Sequence, residues 1–188
     1  MNAAVIVVDL LKDVLSERHA YPIAAPARAV IPKVNELTAQ GRERGWPVVF
    51  ACDSFLPDDF LFRGKMKPHC LRGTTGAEPI DELDRAPEDV VLPKRRFSAF
   101  FKTDLDQSLR TWGVDTVLVT GISTHVCVLT TALDAVSHDF RAIIVEDATA
   151  AYRPEMHRAV LELYRRGPLE PLLEVRPSDE IYALAGQG

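Results

Sequence analysis

Six short apolar runs, each rich in β-branched residues and separated by helical patterns, constrain this chain more than any other feature. The first, "AAVIVVD" at 3–9, is apolar without alternation, as a strand covered on both faces must be. "PVVFAC" at 47–52, "DVVLPK" at 89–94, "DTVLVTG" at 115–121, "RAIIVED" at 141–147 and "LLEVR" at 172–176 continue the series. Between them, Val30, Val34 and Leu37 share one face of a helix within 27–44, where Pro32 is tolerable only near the start and Gly45 marks the end. Further helices are expected at 103–113, at about 125–138 and at 154–167, with Gly113 and Gly167 as stops and Pro154 in a first turn. "SDEIYALAG" reads as a short terminal helix with Ser178 as its N-cap. Strands alternating with helices require right-handed crossovers and place helices on both faces of the sheet. The expected fold is a three-layer, doubly wound, Rossmann-like α/β domain of about six mainly parallel strands. With 188 residues there is enough chain for one such core, so 1–188 is read as a single domain.

Charge and cysteine usage narrow the function classes. The 22 basic residues against 27 acidic ones leave a net charge of −5 with no basic stripe, which argues against nucleic acid as a partner. No apolar stretch reaches membrane-spanning length, and "MNAAVIVVDLLKD" lacks a basic leader region, so no membrane partner and a cytoplasmic location are expected. Cys52, Cys70 and Cys127 form no C-x-x-C pair, which suggests neither a disulfide framework nor a thiolate zinc cluster.

In an open parallel sheet, ligands sit beyond the carboxyl ends of the strands, near the point where strand order reverses. Asp9, Lys94 and Cys127 all fall at or just past such ends. A cysteine at a helix N-terminus beside a lysine has its thiolate favoured near neutral pH, and a neighbouring carboxylate can take up and return a proton. Each residue also has an ordinary reading: Cys127 as packing, Asp9 as a cap for a helix near Leu10, Lys94 as a solvated charge. The long connection "DSFLPDDFLFRGKMKPHCLRGTTGAEPIDEL" is where substrate and any metal are expected to be handled.

Beyond these patterns, "AVIVVDLLKDV" at 4–14, "PHCLRGTTGAE" at 68–78, "LPKRRFSAFFKTDLDQSLR" at 92–110, "VTGISTHVCVLTTALDA" at 119–135 and "AIIVEDATAA" at 142–151 occur in an order that resembles the isochorismatase-like cysteine hydrolase superfamily. That group includes nicotinamidases and carbamoylsarcosine-type amidohydrolases. The resemblance implies Cys127 as nucleophile, Asp9 as general base and acid, and Lys94 as the cationic third member. It further implies a cis peptide between Ile122 and Ser123, with the backbone amides of Ser123 and Cys127 as the oxyanion hole. The implied reaction is hydrolysis of the C–N bond of a small amide or ureido substrate through a Cys thioester. Isochorismatases, which cleave a vinyl ether, commonly lack the cysteine, so Cys127 favours C–N hydrolysis. A metal-dependent nicotinamidase and an isochorismatase-type ether hydrolase are the enzyme alternatives, and an idle binding module of the same fold is the alternative from another class. Family members are usually dimers or tetramers, so a homodimer or homotetramer is expected, with "FLPDDFLF" as an apolar segment suited to burial between subunits.

The chain departs from its relatives at two places. Nicotinamidases hold a metal with an Asp-x-His and the His of an "HC" motif, and the matching residues here are Asp53, Phe55 and His69. With one protein ligand missing, no cofactor is expected to be required, and zinc or manganese would bind only weakly. His125 and His138 offer no spacing that restores the site, and His157 is expected to be a solvated surface residue. The nicotinamide clamp is altered too: Leu11 and Val14 stand where a Gln and a Phe are usual, and the aromatic expected around Met66 and Lys67 is absent. Phe55, Phe60, Phe62, Phe97 and Phe100 are candidates for lining a different pocket. Arg63, Lys65 and Lys67 bring positive charge to the same loop, which would suit a substrate carboxylate.

Overall fold

The structure, a computed structural model, describes residues 1–16 and 21–185. The strands are β1 (Ala3–Val8), β2 (Val48–Asp53), β3 (Val90–Lys94), β4 (Thr116–Ile122), β5 (Arg141–Ala150) and β6 (Leu173–Arg176). They are joined through helices α1 (Lys12–Leu15), α2 (Ala24–Glu43), α3 (Leu105–Thr111), α4 (Leu129–Ser137), α5 (Pro154–Tyr164) and α6 (Ser178–Ala185). The sheet runs β3-β2-β1-β4-β5-β6, and every neighbouring pair is parallel. The chain winds outward from β1 to β3, then returns to lay β4 on the other side of β1. Strand order therefore reverses between β1 and β4, and the carboxyl ends of those two strands flank the crevice where such folds hold ligands.

The unbroken apolar character of β1 follows from its two neighbours above and below. Ala3, Val5 and Val7 face a core shared with Ile31, Val34 and Leu37 of α2 and Ile181 of α6. Ala4, Ile6 and Val8 face the opposite core, shared with Leu105, Leu109, Ala132, Ala135 and Leu161. Two separate cores, one on each face of the sheet, are what fix the three-layer arrangement. Between β1 and β4 the strands close up at Gly121, whose φ is +91°. A Cβ there would lie 2.1 Å from the carbonyl oxygen of Val8, so only glycine fits where the two strands meet at the crevice.

Several local expectations change. α2 begins at Ala24, which puts Pro32 inside the helix rather than near its start. Pro32 is exposed, so the carbonyl of Arg28 that loses its helical donor lies on the side facing water. β5 continues past Asp147 to Ala150, with its register on β4 shifting between Val119 and Gly121. The extra residues project Asp147, whose carboxylate accepts hydrogen bonds from the Ser178 amide (2.9 Å) and hydroxyl (2.7 Å). Ser178 thus docks α6 to the sheet instead of capping it. α3, α5 and β6 also stop or start slightly inside their expected limits, with α5 ending at Tyr164.

The connection after β2 is tied down along its length. Phe55 bridges Leu71 in parallel and Leu11 bridges Pro79 in antiparallel fashion, while short 3₁₀ turns occupy Phe60–Arg63 and Thr75–Ala77. The buried Asp59 accepts from the Leu56 amide (2.7 Å), from Arg95 (2.7 Å) and from Arg96 (3.1 Å), clamping the loop to the end of β3. Those arginines hold the Asp59 carboxyl well below the usual carboxylate range.

Candidate active site

The crevice gathers its charges from three strand ends. Asp9 follows β1 with a φ of +54°, its amide donating to the Ala51 carbonyl (3.0 Å) and its carbonyl accepting from the Leu11 amide (2.9 Å). It does not cap a helix, because its carboxylate turns inward. Oδ2 accepts from Lys94 Nζ at 2.8 Å, and Oδ1 accepts from the Asp53 amide at 2.9 Å. Lys94, the last residue of β3, is no solvated charge: its side chain is 0% exposed, and it donates a second hydrogen bond to Asp53 Oδ1 at 2.5 Å. Cys127 is buried, and ligand atoms of Asp9, Asp53 and Cys127 lie within 4.8 Å of one another. The structure therefore brings Asp9, Lys94 and Cys127 together, with Asp53 as a fourth member.

Burial and charge set the protonation of this cluster. Burial alone would discharge Lys94, but Asp9, Cys127 and Asp53 outweigh it and hold the ammonium well above its ordinary pKa. Burial, joined by repulsion from Asp9, pushes the Asp53 carboxyl up to about 7, with Lys94 opposing. Burial likewise pushes the Cys127 thiol well up; Lys94 works against this, and the Asp9 and Asp53 carboxylates add to the rise. This corrects the expectation of a thiolate favoured near neutral pH: loss of water around the sulfur exceeds what one lysine restores. The resting cysteine is a thiol, with ligand atoms of Asp9 and Asp53 within 4.8 Å. Cys52 and Cys70, also buried, have their thiols raised by the same loss of water.

The local backbone at Cys127 also differs from a plain helix start. The Ile122–Ser123 peptide is cis. Thr124–Val128 form a π-helical turn ahead of α4, wound so that the Ser123 carbonyl accepts from the amides of Val126 (2.9 Å) and Val128 (3.3 Å). Ser123 and Cys127 stand at the two ends of this turn. Ser123 is half-buried and lines a cleft of about 790 Å³ together with Val14, Tyr21, Pro22, Ile23, Lys65, Met66, Lys67, His69 and Tyr152. Ser123, four residues before Cys127, is the lining residue nearest the cysteine in the chain.

The expected aromatic lining is largely displaced. Phe55 is buried, Phe60 is 67% exposed, and Phe97 and Phe100 belong to the core on the other sheet face. Phe55 and Phe62 instead pack against the His69 ring, at 5.5 Å and 6.1 Å between centroids. The aromatic walls of the cleft are Tyr21 and Tyr152, which alternation alone did not single out. Of the three loop cations, Lys65 and Lys67 reach the cleft, while Arg63 stacks on Phe60. His157 is half-buried, not solvated, and its Nδ1 lies 2.9 Å from Thr124 Oγ1. Asp13 was also missed: its Oδ2 accepts from the Cys70 amide at 2.8 Å, and Gly76 leaves room for that carboxylate.

These residues do not fit a metal. The Asp53 carboxylate already receives Lys94, and Phe55 fills the position of the absent histidine ligand. His69 stands among aromatic rings with Nδ1 2.8 Å from the Lys67 carbonyl. A divalent ion between Asp9, Asp53 and Cys127 would meet the Lys94 ammonium head on.

A doubly wound parallel sheet that buries a Cys–Asp–Lys cluster at its switch point defines the class of cysteine hydrolases. The Isochorismatase domain model matches residues 3–172, and the chain belongs to the isochorismatase family. It is 33% identical over 184 residues, 92% of this chain and 93% of the other, to an Arabidopsis thaliana protein named a probable inactive nicotinamidase. Among solved structures, an isochorismatase-like hydrolase from Alkaliphilus metalliredigens superposes with a TM-score of 0.86 at 29% identity, covering 98% of this chain and 100% of that one. The N-carbamoylsarcosine amidase of Thermoplasma acidophilum gives 0.81 at 33% identity, covering 95% and 98%. Six parallel strands with helices on both faces are thus the family's architecture as well as this chain's.

Proposed function

We propose that this protein hydrolyses the C–N bond of a small, anionic amide or ureido compound through a thioester on Cys127, with no metal in the reaction. The observation that carries the reading is the convergence at the strand-order reversal: Asp9 accepts from Lys94 Nζ at 2.8 Å, and ligand atoms of Asp9 and Cys127 lie within 4.8 Å of each other. As sulfur attacks the substrate carbonyl, the S–H proton passes to Asp9, a C–S bond forms and the carbonyl electrons move onto oxygen. The Ser123 and Cys127 amides receive that oxyanion. The C–N bond then breaks with the proton on Asp9 going to nitrogen, releasing ammonia or an amine. A water next gives a proton to Asp9 and its oxygen to the thioester carbon, and the departing sulfur regains the proton. Lys94 keeps charge balanced beside Asp9 throughout.

Substrate charge follows from the cleft. Its walls are apolar and aromatic, its rim carries Lys65 and Lys67, and among the described residues no carboxylate lines it. Leu11 is buried and Val14 lines the wall where relatives place a Gln and a Phe, so a flat neutral ring such as nicotinamide loses its clamp. The relative named an N-carbamoylsarcosine amidase points to the same ureido chemistry. The relative named inactive supports a second reading, a non-catalytic module.

Ammonia release from a panel of N-carbamoyl amino acids and neutral primary amides, nicotinamide among them, decides between the two. The expected result is turnover of an anionic ureido acid, unchanged by EDTA and reduced at least 10³-fold in Cys127→Ala. No release from any panel member would sink the hydrolase reading in favour of the module.

A further inference from the structure

Two contacts from one stretch of chain converge on the turn that carries Cys127. His157 Nδ1 lies 2.9 Å from Thr124 Oγ1, and the Tyr152 ring meets the His125 ring at 5.6 Å between centroids. Thr124 is 0% exposed, so its hydroxyl has no water to turn to. His157 stands on α5, outside the Asp9, Lys94 and Cys127 cluster, and nothing in the proposed reaction uses it. Whichever tautomer the neutral ring takes, the hydroxyl complements it, donating to a bare Nδ1 or accepting from Nδ1–H. Burial lowers the His157 pKa, which keeps the ring neutral at pH 7.

Thr124 separates the two amides assigned to the oxyanion hole. It directly follows Ser123, whose carbonyl anchors the turn through Val126 and Val128, and it stands three residues before Cys127. Fixing its side chain to α5 fixes the backbone on which both amides ride. We infer that His157 is a positioning residue: through Thr124 it holds the 123–127 turn so that the Ser123 and Cys127 amides keep their aim at the substrate oxygen. This rests on Cys127 as nucleophile. Its outer edge faces a separate surface groove shared with Glu146, Arg158 and Arg165, so the hydrogen bond links α5's solvent side to the catalytic turn.

The test compares two reactions of the same sulfur. p-Nitrophenyl acetate acylates a cysteine through a tetrahedral oxyanion: the C–S bond forms, p-nitrophenolate leaves and an acetyl thioester remains. Iodoacetamide alkylates it at a saturated carbon, displacing iodide, with no oxyanion to hold. Site-resolved mass spectrometry on the full chain reads both at Cys127. His157→Ala and Thr124→Val are each expected to slow acylation about tenfold or more while alkylation changes less than about threefold. Thr124→Ser, which keeps the hydroxyl, should return acylation to near wild type, and His157→Ala with Thr124→Val together should be no slower than either alone. Equal losses in both reactions, or acylation unchanged in both single variants, would overturn the positioning role and leave the nucleophile intact. Absence of acylation at Cys127 in the wild-type protein would overturn the nucleophile itself, and the inference with it.

Discussion

The charge cluster at the strand ends and the cleft that Ser123 lines are built in opposite ways. Asp9, Asp53 and Lys94 sit at or just past the ends of β1, β2 and β3, three successive strands of the sheet, with Cys127 a few residues past the end of β4 on the other side of β1, and ladder hydrogen bonds set the spacing of those strand ends. The cleft is assembled from Val14 and Tyr21, the 65–69 stretch, Ser123 and Tyr152, which come from four parts of the chain distant in sequence. Chemistry placed on strand ends inherits the rigidity of the sheet; specificity placed on loops depends on side-chain clamps such as Asp59 with its two arginines and Asp13 with the Cys70 amide. The first region should therefore fail abruptly when altered and the second by degrees.

The largest effect is expected from Lys94→Ala. It leaves Asp9 and Asp53 buried side by side with no counter-charge, and removing one partner from a buried ionic group costs about 3–5 kcal/mol. Chemical denaturation at pH 8 should show a loss of that size, and ammonia release should fall by about 10³-fold or more. A stable Lys94→Ala protein that kept its activity would show that the cluster is not the rigid half of the comparison.

How much of each region could be read in advance follows the same division. The strands, their parallel character and the shared rim of Asp9, Lys94 and Cys127 were legible because apolar runs with a residue at the carboxyl end carry their geometry with them. That the three form one cluster could be read only from the family resemblance, since the spacing leaves each its ordinary reading. Asp53 as a second carboxylate on Lys94 was not, since the pairing of β2 with β3 is what sets Asp53 opposite Lys94. The π-helical turn was hidden because its residues have ordinary helical propensities; tertiary contacts from β4 and α5 impose the wider winding. His157 gave only a weak signal, a polar residue in an amphipathic helix, and its partner lies 33 positions away. Tyr21 and Tyr152 could not be assigned to the cleft from periodicity, because loops carry none.

A smaller effect sharpens the electrostatics. With the Asp53 carboxyl raised to about 7 in the fold and ordinary when unfolded, the native state holds its proton more tightly. The stability this confers is full below the unfolded carboxylate range near 4 and is lost as pH rises through about 7. Asp53→Asn keeps the neutral shape and cannot ionise. Its unfolding free energy, from chemical denaturation, should match wild type near pH 4.5 and exceed it increasingly toward pH 8, by an amount on the order of a few kcal/mol. A difference that stayed constant, or grew as pH fell, would mean that Lys94 dominates Asp53 and that the crowding of Asp9 and Asp53 is not felt.

The smallest effect belongs to the cleft. Lys65 and Lys67 are exposed, so each contributes only a screened attraction to a substrate carboxylate. Lys67→Gln in a hydrolysis assay on an N-carbamoyl amino acid should raise KM about threefold to tenfold with little change in kcat, and added salt should shrink the difference. Lys65→Gln should do the same, and the two together should roughly multiply, because neither side chain depends on the other for position. Neutral amides should be indifferent to both changes. A drop in kcat instead would mean that the loop reaches into the reaction, and that chemistry and specificity are not divided between strand ends and loop as the fold divides them.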